Sequence, residues 1–167
     1  MTAPGKLTIK PQGDRELVMT RAFAAPRQAV FDAYTRPELL RRWLGQMPGW
    51  SWVTCEVDLR VGGRYRWEWK QEATGYVMGM GGEYREIAAP ARIVCTEKFD
   101  DEWYPGGAIS TVELREQPGG TLMVNTLRYE SAEALQAVLA SPMEDGVTIS
   151  YDHLEKLLLE RTAGGAA

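Results

Sequence analysis

The sequence predicts an α+β fold: a curved antiparallel sheet of seven strands wrapped around one long C-terminal helix, with two short helices between the first two strands. Three observations predict it. From Trp50 to Tyr129 apolar and polar residues alternate in short runs broken by Gly and Pro, the pattern of hairpin-linked strands. Pro26 to Tyr34 and Pro37 to Leu44 carry helical spacing with a Pro-marked break between them. Ser141 to Arg161 sets Met143, Val147, Tyr151, Leu154 and Leu158 at intervals of three and four, which makes one apolar stripe. Strands joined by hairpins twist and curl, so a long amphipathic helix packs across the concave face.

Taken in order, Met1 to Asp14 is polar and broken by Pro4, Gly5, Pro11 and Gly13, and is expected to be a frayed leader before one domain over residues 15–162. Glu16 to Ala24 reads as a strand with Leu17, Met19 and Phe23 on one face and Arg21 interrupting it. Trp52 to Asp58 alternates and turns at Val61-Gly62-Gly63. Arg64 to Lys70 then points Tyr65, Trp67 and Trp69 one way and its charges the other. Gly75 to Ile87 and Arg92 to Phe99 are strands around Pro90, and Asp100 to Gly107 is a loop. Ala108 to Glu116 and Thr121 to Tyr129 form a hairpin at Pro118-Gly119-Gly120. Ser131 caps a short helix, Ala132 to Ala140. The last helix is expected to start with Ser141 as N-cap, Pro142 in the first helical position and Glu144 closing a capping box, and to stop at Gly164 and Gly165.

At 167 residues and a formal net charge of −4, with both signs mixed along the chain, no basic surface for nucleic acid is expected. No run is long and apolar enough to span a bilayer, and Met1 to Lys10 lacks a signal-peptide core, so the cytoplasm is the expected location. Cys55 and Cys95 are expected to be two buried structural thiols. With one histidine, His153, a familiar zinc site is not expected, nor is any other metal or cofactor. The glycines Gly79, Gly81 and Gly82 lie inside a strand with no helix after them, so they mark bulges or a close approach of the C-terminal helix, not a nucleotide loop.

Six Trp and seven Met in one small domain exceed what a plain core needs. Trp67, Trp69, Met78, Met80 and Phe99 fall on inward strand faces. Trp43, Trp103 and Tyr104 come from the ends, and Met143, Val147 and Tyr151 from the helix. Together they suit a cavity for flat or irregular apolar molecules. Alternation also turns Glu97 inward, where a carboxylate must be paired, hydrogen-bonded or protonated. Three readings stand at this point: Glu97 polarises or orients a bound ligand, it pairs with Arg21, or it sits at the rim. Asn125 is a weaker polar candidate. No nucleophile–base set assembles, so no catalytic residue is assigned; an enzyme would have to rely on Glu97 or a Tyr alone.

The words Arg21 to Pro26 (RAFAAP), Val30 to Gly45 (VFDAYTRPELLRRWLG), Asp58 to Tyr65 (DLRVGGRY), Gly82 to Thr96 (GEYREIAAPARIVCT) and Glu116 to Thr121 (EQPGGT), with the tail from Met143 through Gly146 to Leu158, carry a resemblance. Over Glu16 to Glu160 the chain resembles bacterial SRPBCC proteins of the START or Bet v 1-like superfamily. It resembles in particular the branch named after the C-terminal domain of the activator of Hsp90 ATPase. The resemblance implies a helix-grip fold with a cavity between sheet and long helix, and a small hydrophobic ligand, aromatic or lipid-like. It also implies alternatives: a cyclase or hydro-lyase, sequestration of a toxic metabolite, or contact with a chaperone; a second copy of the chain is a further expected partner. The eukaryotic co-chaperone carries a separate N-terminal domain absent from these 167 residues, so the resemblance speaks for the fold more than for Hsp90 activation.

Overall fold

A computed structural model describes residues 5–163. Eight strands form one antiparallel sheet in the order β1-β2-β8-β7-β6-β5-β4-β3. They are β1 (Thr8–Gln12), β2 (Glu16–Phe23), β3 (Trp50–Val57), β4 (Arg64–Gln71), β5 (Val77–Ala88), β6 (Arg92–Phe99), β7 (Ala108–Gln117) and β8 (Gly120–Tyr129). Helices α1 (Arg27–Thr35) and α2 (Pro37–Leu40) lie between β2 and β3, and α3 (Ala132–Ala140) and α4 (Met143–Ala163) close the chain. The α+β class and the helix order match the expectation. The strand count does not.

The additional strand is β1, inside the stretch expected to be a frayed leader. It pairs antiparallel with β2 from Thr8↔Thr20 to Gln12↔Glu16. Mostly exposed, with Pro11 in it, it has no alternation to read. An edge strand needs none: β2 offers an open row of backbone groups, and Pro is tolerated where one side of the strand is unpaired. Met1 to Pro4, the start of that expected leader, lie outside the described residues, as do the expected helix stops Gly164 and Gly165.

Local signals place most other elements. Ser131 accepts a hydrogen bond from the Ala134 backbone N–H at 3.1 Å, the N-cap of α3. Pro118-Gly119 turns β7 into β8, with Gly119 at φ 83°, a conformation glycine adopts without steric cost. Pro37 to Leu44 was expected to be helical throughout, but α2 ends at Leu40 and single-turn hydrogen bonds carry the chain on to Leu44. Ser141 serves both helices: its hydroxyl donates to the Val138 carbonyl at 2.6 Å at the end of α3 and accepts from the Met143 backbone N–H at 3.4 Å, the expected N-cap contact of α4. The capping box does not close, because the Ser141 backbone N–H goes to the Val138 carbonyl, and α4 begins at Met143 with Glu144 and Asp145 in its first turn. Those two carboxylates face the positive end of the helix dipole.

The glycines of β5 make room for neighbouring strands, not for α4. A Cβ on Gly81 would strike the Tyr65 carbonyl, and one on Gly82 the Thr96 carbonyl. At Gly79 it would meet the side chains of Arg66 and Asp100, an ion pair. A bulge does occur in this strand, where the β5–β6 register shifts between Tyr84 and Glu86.

The stripe on α4 is buried at Tyr151, Leu154 and Leu158, with Leu157 beside it, and half-buried at Met143 and Val147. Tyr151 ties the helix to the rest of the chain. Its ring stacks on Trp43 with centroids 5.8 Å apart and tilts against Phe23 at 6.3 Å. One further tie is ionic: Arg21, 4 % exposed, reaches Asp152 at 2.8 Å and Glu155 at 3.3 Å. Its guanidinium also lies 5.7 Å from the Phe23 ring centroid. The inward Arg21 is thus a clasp between β2 and α4, and not the partner of Glu97.

Candidate functional site

Strand register builds the site row by row. Trp67 on β4 faces Met80 on β5, and Met80 faces Phe99 on β6; Trp69 faces Met78 in the next row. These side chains share one face because their positions differ by two along each strand. A third row runs Glu97, Ala108, Tyr129 across β6, β7 and β8. Ala108 is the smallest member, so space opens between the carboxylate and the phenol.

The result is a cavity of about 370 Å³ between these rows and α4. Every residue predicted for the site lines it: Trp43, Trp67, Trp69, Met78, Met80, Glu97, Phe99, Trp103, Tyr104, Met143, Val147 and Tyr151. Asn125 lines it as well, as do Gly146 and Ser150 on the helix. Sequence reading missed Tyr34, Trp50, Met47 and Tyr129. Tyr34 carried only the signal of an apolar helix face, and Tyr129 sits at a strand end, where phase says little about direction. Met47 and Trp103, 37 % and 40 % exposed, take the lining out to solvent.

The aromatic walls brace one another. Trp67 packs on Tyr65 at 4.6 Å and edge-on to Trp69 at 6.3 Å, while Trp69 meets Trp52 at 4.8 Å. Trp103 stands edge-on to both Phe99 and Tyr104, at 5.5 and 4.9 Å. Trp43 is fixed by its indole N–H, which donates to the Ala33 carbonyl at 2.9 Å. Gly45 supports Trp69. At φ 67° it adopts the left-handed conformation, and a Cβ there would overlap the Trp69 indole. Gly45→Ala is expected to lower stability by about 1–2 kcal/mol and to turn Trp69 in its seat. Urea unfolding and near-UV circular dichroism check this; wild-type values in both would refute it.

A few polar groups interrupt the apolar wall. The Tyr34 hydroxyl donates to that of Tyr151 at 3.0 Å, and the Ser110 hydroxyl donates to Asn125 at 2.9 Å. Asn125 in turn lies against the Tyr151 hydroxyl. Trp67 and Trp69 indole N–H groups and the Tyr104 hydroxyl are buried with no hydrogen-bond partner among the described residues. Glu97 retains some accessible surface, and it lines the cavity. Burial alone pushes its carboxyl up to about 7, because the charged form loses hydration that no cation replaces. Both cysteines are free: Cys55 is buried as expected, and Cys95 is only half-buried. Burial pushes their thiols up to about 11 and about 12, so neither is a ready nucleophile. Among the described residues no group of three or more His, Cys, Asp or Glu could hold a metal ion.

A curved antiparallel sheet gripping a long helix over an aromatic cavity defines a helix-grip protein of the Bet v 1-like class. The chain belongs to the family of activator of Hsp90 ATPase homolog 1-like proteins, whose family model matches residues 24–159. A crystal structure of a Rhodobacter sphaeroides protein superposes with a TM-score of 0.87 at 29% identity, covering 93% of this chain and 99% of that one. A Mycobacterium smegmatis protein does so at 0.79 and 26% identity, covering 92% and 97%. An AHSA1-like protein from Aeromonas hydrophila shares the fold at a TM-score of 0.67 and 22% identity, over 90% and 94% of the two chains. No curated protein matches the sequence. Among the described residues no helix is long and apolar enough to cross a membrane.

Proposed function

We propose that this protein binds a small hydrophobic molecule, with an aromatic body, in the cavity between the sheet and α4. The observation that carries the reading is the cavity itself: about 370 Å³, walled by indoles, phenols and thioethers, with a few polar groups among them. That size and that division of surface suit small-ligand sites, in which apolar walls supply affinity and a few polar groups set orientation. Membership of the family is consistent with it.

Native mass spectrometry of freshly purified protein, looking for a retained small molecule, tests the reading together with titration by flat apolar compounds followed through Trp emission. No retained mass and no response to any chemical class would refute it. Gly146 sharpens the test. It lines the cavity, and a Cβ there meets only the Met47 side chain, with Sδ at 3.6 Å. Gly146→Ala is expected to raise stability by about 0.5–1 kcal/mol through helix propensity. Gly146→Phe carries a ring toward Met47 and is expected to weaken binding at least about tenfold while the protein stays folded. Unaltered binding in Gly146→Phe would move the ligand elsewhere.

A second reading follows from Glu97. A carboxyl near 7 is tuned for general acid–base work, which would suit a cyclase or hydro-lyase. Turnover of a bound ligand that disappears in Glu97→Gln would support it; binding without turnover in both forms would remove it. A chaperone contact, the reading that the family name suggests, predicts stimulation of a cognate Hsp90 ATPase, which the cavity does not require.

A further inference from the structure

The cavity is charged at one point only. Glu97 is the ionisable acid on its wall, and no Lys, Arg or His joins it among the described lining residues. The inward cation that could have answered Glu97, Arg21, is committed to Asp152 and Glu155. Around the carboxylate stand π-systems: Tyr104, Tyr129 and Tyr151 lie close enough to feel its charge, and Trp67, Trp69 and Phe99 continue the wall. Indole and phenol faces carry negative potential and attract cations, most strongly where water is excluded. A buried carboxylate beside them lacks the positive group that would offset its lost hydration. Both features select the same ligand chemistry, and both oppose an anion.

We propose that the ligand is a lipophilic amine, with its protonated nitrogen on the Glu97 carboxylate and its flat apolar body against Trp67 and Trp69. The proposal rests on the cavity reading above and adds the ligand's charge to it. Other titratable groups facing Glu97 do not compete for this role near neutral pH. Tyr65 on β4, Cys95 on β6, Tyr104 from the loop after β6, Tyr129 on β8 and Tyr151 on α4 all feel its charge, and burial pushes each of them up, so each stays protonated. A neutral alcohol of the same shape fills the same space but leaves the carboxylate without a counter-charge. A carboxylate ligand meets repulsion from Glu97 and from the ring faces alike.

The test uses three probes with one naphthalene body: naphthylmethylamine, naphthylmethanol and naphthylacetate. Isothermal titration calorimetry at about pH 8, where Glu97 is largely ionised, is expected to find the amine bound at least about tenfold more tightly than the alcohol, and the acetate weakest. In Glu97→Gln, an isosteric change that removes a buried charge and leaves the fold intact, the amine is expected to fall to the affinity of the alcohol. An alcohol or acetate that binds as tightly as the amine overturns the proposal, as does an amine preference that survives Glu97→Gln. Binding of the alcohol without any preference for the amine overturns this inference and leaves the cavity reading standing. Binding of none of the three overturns both.

Discussion

Changing both acids that face Arg21, by Asp152→Asn and Glu155→Gln together, is expected to lower the unfolding free energy by about 3 kcal/mol. The arginine is 4 % exposed, whereas Asp152 is 62 % and Glu155 28 % exposed. Loss of the acids leaves a dehydrated guanidinium with no counter-charge, and its Nε is already without a partner among the described residues. Loss of the cation is milder, because Asp152 already stands in water and Glu155 is partly exposed. Arg21→Met, which keeps much of the stem's packing, is therefore expected to cost less than about 1 kcal/mol. Urea unfolding of the two variants decides the matter. An Arg21→Met protein less stable than the double acid variant would refute the clasp as described.

Glu97→Gln is expected to stabilise the ligand-free protein by about 2 kcal/mol at alkaline pH and by nothing measurable near pH 4. In the unfolded chain the carboxyl ionises near the ordinary value of about 4.3. In the folded protein it holds its proton up to about 7. Below the lower value both states are protonated and Glu97 costs nothing. Between the two the unfolded chain loses its proton while the folded one keeps it, so stability falls as pH rises. Above about 7 the loss is complete, softened by the accessible surface that Glu97 retains. Comparison with wild type at each pH cancels the contribution of the other carboxylates. Thermal unfolding of both proteins at the two pH values checks the prediction, and an equal gain at both would sink it. A gain of this kind on removing Glu97 would fit the stability–function trade-off of a functional site.

Most of the fold was legible because its determinants are local. Alternation in Arg64 to Lys70 assigns Tyr65, Trp67 and Trp69 to one face whatever the strand pairs with. Pro118-Gly119 makes a hairpin and Ser131 makes a cap through their own backbone chemistry. β1 was not legible, because pairing with the open edge of β2, and no pattern of its own, creates it. Ser141 was read for the helix ahead only, but its hydroxyl serves both helices. It donates to the Val138 carbonyl behind it and accepts from the Met143 amide ahead, and only the tertiary structure brings both helix ends to one serine. The β5 glycines showed that something comes close, but not what.

The site divides in the same way. The sequence alone determined which side chains point inward, because helical spacing and strand alternation are local periodicities. Gly146 and Ser150, the small residues beside the stripe, do line the cavity, as a thin helix wall requires. It also determined that two inward charges, Arg21 and Glu97, would each need an answer. Only the tertiary structure decided that they do not answer each other. β8 and β7 lie between β2 and β6 in the sheet, so the two backbones stand roughly three strand spacings apart, on the order of 14 Å. Arg21 turns instead to α4, which passes over β2 with Asp152 and Glu155 on its near side. Glu97 is left with aromatic rings around it and no cation among the described lining residues, and the proposed preference for an amine rests on that unmet charge.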